Sequence, residues 1–235
     1  MKYALVTGCD HGVGLALADA LLRRGYHVVS CRLNPGETQI DALAARYPET
    51  AEILDLDISR DESVRSLAAL TVPCLDLVIN CAGILGEMEE GPFGTLDYDL
   101  MRKVIDVNAL GTLRVTAAVL PLVLKSADRT VVNISSEAGS IGDCRRTGWF
   151  GYCMSKAANN MQGALIHNTL RPLGGRVIQM HPGHVATYMR GHLDTTAKIS
   201  PEESAAGILK TVLDTPLPVR EHPLYLDFRG KELPY

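Results

Sequence analysis

Short apolar runs alternate along this chain with longer segments whose apolar residues recur every three or four positions. The runs fall at Tyr3 to Thr7, His27 to Cys31, Ala51 to Leu56, Leu75 to Asn80, Thr130 to Ile134, Arg176 to Met180 and Leu224 to Asp227. Their centres, such as Leu77-Val78-Ile79, are continuously apolar, the pattern of strands covered on both faces and hence of a parallel sheet. Helical spacing predicts helices over Val13 to Arg24, Gln39 to Tyr47, Asp61 to Leu70, Tyr98 to Lys125, Tyr152 to Leu170 and Pro201 to Leu213. Leu15, Ala18, Leu21 and Leu22 line one side of the first, and Gly25 stands where a helix ends in a left-handed residue. Pro121 predicts a kink or an early stop near Val119, because proline removes an interior hydrogen bond and crowds the preceding turn. Strands and helices that take turns from end to end are the order of repeated βαβ units. The expected fold is α/β, a doubly wound parallel sheet of seven strands with helices on both faces, in a single domain over residues 1–235.

Composition narrows the partners. With 46% hydrophobic residues and a mean hydropathy of +0.07 the chain can bury a large core. A net charge of -4 and a pI near 6.0 argue against nucleic acid, whose binders concentrate Lys and Arg. Met1 leads directly into a strand pattern, with no secretory leader, and no run of eighteen residues without charged or polar groups predicts a spanning helix. A cytoplasmic protein with no membrane partner is expected. The cysteines Cys9, Cys31, Cys74, Cys81, Cys144 and Cys153 form no CxxC pair and no zinc spacing, so no metal is expected and buried thiols are.

After the first strand comes Thr7-Gly8-Cys9-Asp10-His11-Gly12-Val13-Gly14. Glycines there let the chain turn tightly and bring backbone N–H groups toward a pyrophosphate at a helix N-terminus, although a bare strand-to-helix turn has the same look. The spacing is TGxxxGxG rather than GxGxxG. Further motifs follow in order: Leu56-Asp57-Ile58 after the third strand, Asn80-Cys81-Ala82-Gly83 after the fourth, and Asp106-Val107-Asn108-Ala109-Leu110-Gly111 on the long helix. Asn133-Ile134-Ser135-Ser136 ends the fifth strand, Tyr152-Cys153-Met154-Ser155-Lys156 opens the next helix, and Pro182-Gly183-His184-Val185-Ala186-Thr187 follows the sixth strand. Together these resemble the short-chain dehydrogenase/reductase family over essentially the whole chain, with Cys81 as a departure from the usual NNAG. The long loop before Tyr152 and the Ser200-Pro201-Glu202-Glu203-Ser204 run look most like its C-factor and sniffer-like carbonyl reductase branch.

The resemblance implies a Rossmann-type sheet binding NAD(P) and a small carbonyl or alcohol substrate. Gly8, Asp10, His11, Gly12, Val13 and Gly14 would hold the pyrophosphate side, Asp57 and Ile58 the adenine, Asn80, Ala82 and Gly83 would join the cofactor site, and Pro182, Gly183, Val185 and Thr187 would meet the nicotinamide. Counting from Gly25 puts Arg32 at the end of the second strand, where an NAD enzyme keeps a carboxylate for the ribose 2′-OH. A guanidinium pairs with a 2′-phosphate instead, and no carboxylate is legible there, so NADP(H) is preferred with NAD(H) as the alternative. Protonated, His11 would add charge near the phosphate; a hydrogen-bonded turn histidine is the plainer role.

Tyr152 and Lys156 stand four residues apart on one helix face. Reduction of a carbonyl leaves an alkoxide that needs a proton, and oxidation needs a base. A phenol with pKa ~10 must be stabilised as tyrosinate by ~4 kcal/mol to act as base near neutral pH. An ammonium at ~4 Å supplies that at an effective dielectric of ~20. Both residues would also touch the cofactor. Ser136 would hydrogen-bond the substrate oxygen, with Ser140 as a weaker candidate, and Asn108 would complete a proton relay from Lys156. His184 is expected to pack, and Trp149 and Phe150 to wall a pocket or join the core. Arg145 and Arg146 would meet an anionic substrate or simply be solvated. Specificity is expected in Glu87 to Leu96, Gly142 to Phe150 and Tyr188 to Ser200. The resemblance leaves dimer or tetramer open. Two other readings stand beside the enzyme: a catalytically silent dinucleotide-binding regulator, which intact Asn108, Ser136, Tyr152 and Lys156 disfavour, and a sugar epimerase, for whose added substrate domain the chain is short.

Overall fold

The computed structural model describes residues 1–36, 39–86 and 91–235. Seven strands, β1 (Lys2–Thr7), β2 (Tyr26–Arg32), β3 (Ala51–Asp55), β4 (Leu77–Asn80), β5 (Thr130–Ile134), β6 (Arg176–His181) and β7 (Leu224–Asp227), form one sheet in the order β3-β2-β1-β4-β5-β6-β7. Every pairing is parallel. The chain crosses back between β1 and β4, so the loops leaving these neighbours diverge and open a crevice at their C-terminal ends.

The continuous apolar runs are explained by two cores. Ala4, Val6, Val28, Ile79, Val132 and Met180 face α1 (Gly12–Arg23) and α7 (Pro201–Leu209) through Leu17, Leu21, Ile208 and Leu209. The alternate residues Leu5, Val29, Val78, Val131 and Val177 face α5 (Thr112–Lys125) through Val115, Val119 and Val123. Gly25 takes φ +79 just past α1, as a helix stop requires. The shorter α2 (Gln39–Ala44) packs against β3, and α3 (Asp61–Arg65) against α5.

Pro121 does not end its helix, which runs on to Lys125. Val119 and Val123 are fully buried on one side of it, and that packing outweighs the lost bond. The irregularity lies upstream instead: α4 (Tyr98–Ile105) passes into a π-helical turn over Asp106–Gly111 before α5. The whole helix, Tyr98–Lys125, is long and apolar enough to cross a membrane by length and composition, with a mean hydropathy of 1.7 over its most apolar window, contrary to what the sequence pattern suggested. Its valines are apolar because they cover the sheet.

A candidate active site at the β1–β4 crevice

The glycine-rich turn leaves no room for side chains. Gly8 has φ +73, and a Cβ there would lie 2.8 Å from the Cα of Ala82; one on Gly14 would lie 2.1 Å from the Gly8 carbonyl oxygen. Thr7 draws the two chain crossings together, its Oγ1 accepting the N–H groups of Cys81 at 3.0 Å and Ala82 at 3.1 Å. Helix α1 starts from extended His11 with no side-chain cap, so its first amides have no side-chain acceptor and its positive end faces the crevice. Gly8, Gly12, Val13 and Gly14 therefore fit a pyrophosphate. His11 stands edge-on to Tyr188 at 6.5 Å. Thr187 lies over the turn, its Cγ2 3.3 Å from a Cβ built on Gly12. The segment carrying Thr187 is held by the Ser204 hydroxyl, which donates to the Pro182 carbonyl at 2.7 Å, and by a bridge from Val185 to Ile199. Gly183 must be glycine, with φ +89 and Ile199 Cδ1 only 2.5 Å from where a Cβ would sit.

At the adenosine end, Asp10 ties the loop after β2 to the glycine turn by accepting the N–H groups of Leu33 at 3.0 Å and Asn34 at 2.7 Å. Arg32 donates through Nε to Asp55 and through Nη1 to Asp41, both at 2.7 Å, with its side chain only 13% exposed. The expectation that no carboxylate stands here is thus corrected. Asp55 arrives because β3 pairs with β2 in the register Arg32↔Asp55, and Asp41 because α2 follows; neither is visible by counting from Gly25. Asp57 spends one oxygen on Ser59, accepting from its N–H at 2.9 Å and its hydroxyl at 2.6 Å. Ile58 packs against the long helix, where a Cβ on Gly111 would meet its Cγ1 at 2.8 Å. Asn80 turns inward, donating to Thr116 and Asn133 at 2.9 Å each.

Across the crevice, Ser136 follows β5, and α6 (Phe150–Leu170) carries Tyr152 and Lys156 on its buried face. Ser136 lies near enough to the Tyr152 phenol to favour its charged form. Lys156 Nζ lies 5.6 Å from the Tyr152 ring centre and donates to the Ile134 carbonyl at 2.8 Å. Burial pushes Tyr152 up to about 12, with Ser136 working against it, and pushes Lys156 down to about 8. This reverses the electrostatic expectation: the lysine does not dominate the phenol, because desolvation drives both groups toward their neutral forms. Near neutral pH the phenol keeps its proton and the lysine is mostly an ammonium.

Asn108 sits on the π-helical turn, where its side chain accepts from the Ile84 N–H at 2.8 Å and donates to the Ile84 carbonyl at 2.8 Å and Ser155 at 2.9 Å. It thereby fixes the strand exit carrying Gly83, whose absent Cβ would fall 3.0 Å from Asn108 Oδ1 and 3.7 Å from Lys156 Nζ. Ser135 donates to Asn160 at 2.6 Å, and Ser140 accepts from the Asp143 N–H at 3.1 Å, so both have structural partners. Tyr225 on β7, absent from the motifs, donates its hydroxyl to the Ser136 carbonyl. No sequence signal marks it, since its partner is a backbone atom. His184 does not pack as expected; its Nε2 is 2.9 Å from the Asp194 carboxylate. Of the three expected specificity segments, residues 87–90 of the first lie outside the described residues. Among the described residues no cluster of His, Cys, Asp and Glu is placed to hold a metal.

The profile of the short chain dehydrogenase family matches residues 2–198. The chain belongs to that family. This short-chain dehydrogenase is 36% identical over 216 residues, covering 90% of it and 91% of the relative, to 1-hydroxy-2-glutathionyl-2-methyl-3-butene dehydrogenase of Rhodococcus sp. (strain AD45). It is 37% identical over 162 residues to C-signal of Myxococcus xanthus, covering 68% of this chain and 93% of that one. Among solved structures it matches an NADPH-bound carbonyl reductase from chicken fatty liver with TM-score 0.88 and 28% identity, over 100% of this short-chain dehydrogenase and 99% of the other chain. The expected resemblance to the C-factor and carbonyl reductase branch is thereby met. It is an oxidoreductase of small molecules by family.

Proposed function

We propose that this oxidoreductase moves a hydride between NADP(H) and a carbonyl or secondary alcohol, with Tyr152 as the general acid and base. The observation that carries this reading is the buried Tyr152, with Ser136 beside it and Lys156 facing its ring, next to a turn too tight for anything but glycine. When bound, the dinucleotide supplies the hydride in reduction and takes it in oxidation. Gly8, Gly12, Val13 and Gly14 would hold its pyrophosphate, Thr187 and Val185 its nicotinamide end, and Arg32 a 2′-phosphate. Ser136 holds the substrate oxygen, and Tyr152 gives that oxygen its proton. A phenol kept protonated by burial is suited to this step, so carbonyl reduction is the direction favoured near neutral pH. Lys156 lies close enough to stabilise the tyrosinate that remains. Asn108, through Ile84, holds the Gly83 segment open beside that ammonium.

NADP(H) is supported by Arg32 and by the NADPH-bound structural neighbour, and the two carboxylates on Arg32 make the preference over NAD(H) a matter of degree. Absorbance-monitored NADPH oxidation against a panel of quinones, aldehydes and ketones tests the proposal. Turnover that disappears in Tyr152→Phe, with NADPH binding retained, is the expected result. Tight NADPH binding with no turnover of any carbonyl would instead establish the silent regulator.

A further inference from the structure

The loop before α6 and the loop after β6 meet over one side chain. Trp149, the single tryptophan of the chain, has φ +64, a conformation that side chains with a Cβ rarely adopt, and it is the last residue before the helix bearing Tyr152. The Arg146 guanidinium stands 4.4 Å and that of Arg190 5.9 Å from its ring centre. The indole meets the Tyr152 ring edge-on, with centroids 6.3 Å apart and planes at 73°. Two guanidiniums therefore lie one indole away from the proton-donating phenol.

Their partners differ. Arg146 is paired with Glu137. Arg190 Nε stands 3.5 Å from Asp194 Oδ2, too long for a good hydrogen bond. That carboxylate is already taken: Asp194 accepts from the Thr196 hydroxyl at 2.6 Å and the Thr196 N–H at 3.0 Å, and lies 2.9 Å from His184 Nε2. These bonds, Thr196 first, hold Asp194 well below the usual carboxylate range. Asp194 thus anchors the loop while the terminal nitrogens of Arg190 have no acceptor among the described residues, although its side chain is only 30% exposed. Arg145, next to Arg146 in the chain, is 88% exposed and 3.9 Å from Asp143. A guanidinium partly removed from water, resting near an indole with its planar fork unfilled, matches the geometry of a carboxylate.

We propose that Arg190, supported by Arg146 and Arg145, binds a carboxylate on the substrate, so that the enzyme acts on alcohols or carbonyls carrying an acidic tail. This rests on the hydride-transfer reading above. The acid is held across Trp149 from the carbonyl, and the left-handed conformation of Trp149 turns its ring into the wall between them.

The test compares terephthalaldehydic acid and adipic semialdehyde with their methyl esters as NADPH-dependent substrates. The acids should exceed the esters in kcat/KM by about tenfold or more, with the advantage in KM, and the advantage should shrink in Arg190→Gln and at high salt. Because Trp149 is the sole tryptophan, its fluorescence gives a binding readout without turnover: benzoate should change it saturably in the wild type, and methyl benzoate should not. Arg145→Gln, at an exposed position that cannot unfold the loop, should weaken the benzoate titration by a few-fold. Equal kcat/KM for acids and esters, or a benzoate titration unaltered in Arg190→Gln, overturns the carboxylate site and leaves hydride transfer standing. Absence of turnover with every aldehyde, while NADPH binds, overturns both.

Discussion

The two sides of the crevice achieve their shapes by opposite means. On the β1–α1 side function comes from what is missing, since at Gly8 and Gly14 the space a Cβ would fill is occupied by backbone. On the α6 side it comes from polar side chains that are present and buried: Ser136, Tyr152 and Lys156 all lie out of water. The first is a steric requirement, set for Gly14 inside the turn itself and for Gly8 by the backbone of Ala82 after β4. The second depends on contacts between distant segments, such as Lys156 with Ile134 and Asn108 with Ser155. A backbone site tolerates no added atom, whereas a buried polar site tolerates no lost partner.

The largest effect should separate chemistry from binding. Tyr152→Phe keeps the ring and its packing but removes the hydroxyl proposed as the proton donor, and kcat should fall by about a thousandfold, or roughly 4 kcal/mol, with NADPH affinity unchanged. Steady-state kinetics with calorimetric titration of NADPH would check this, and retained kcat would remove Tyr152 from the chemistry. Gly14→Ala breaks the other side: a Cβ 2.1 Å from the Gly8 carbonyl oxygen forces the turn apart, costing about 3 kcal/mol of stability and most cofactor affinity. A thermal melt and an NADPH titration read both losses.

Lys156 sharpens the contrast, because a buried ion kept for the proposed chemistry should weaken the fold. Its folded pKa, lowered from 10.5 to about 8, lies below the unfolded value, so between these two the unfolded chain binds more protons and stability should rise with pH. Below about pH 8 the buried ammonium is a standing cost. Lys156→Met should therefore stabilise the protein by about 2 kcal/mol near neutral pH, gain less at pH 10, and lose turnover. Denaturant melts at the two pH values measure this; a destabilised variant would mean that the Ile134 bond outweighs the burial cost.

The smallest effects belong to the adenosine end, where charges are shared. Asp41→Asn frees one side of Arg32 and should tighten NADPH a few-fold, while Arg32→Asp should shift the NADPH to NADH ratio of kcat/KM toward NADH by about tenfold. Unchanged ratios in both would show that the 2′-phosphate is recognised elsewhere.

Much of this was legible in the chain. All seven strands lie where the apolar runs place them, most plainly β4 and β5, which are buried along their whole length and so announce themselves locally. Helix interiors disagreed where packing overrode local rules, as at Pro121, or where an extra residue was accommodated, as in the π-helical turn holding Asn108. Other features needed cross-strand register. Asn80 and Asn133 pair across β4 and β5 and share a hydrogen bond within the sheet, although each alone looks like an end-of-strand residue.

By itself the sequence determined the order of strands and helices, the glycine pattern of the β1–α1 turn and the spacing of Tyr152 and Lys156, since each is a pattern among neighbours along the chain. Tertiary structure decided the partners of Arg32, the protonated state of Tyr152, the link from Tyr225 to Ser136 and the exposure of Arg190. Those depend on burial and on which distant groups share a site, and the energies of charges and hydrogen bonds change most with their surroundings.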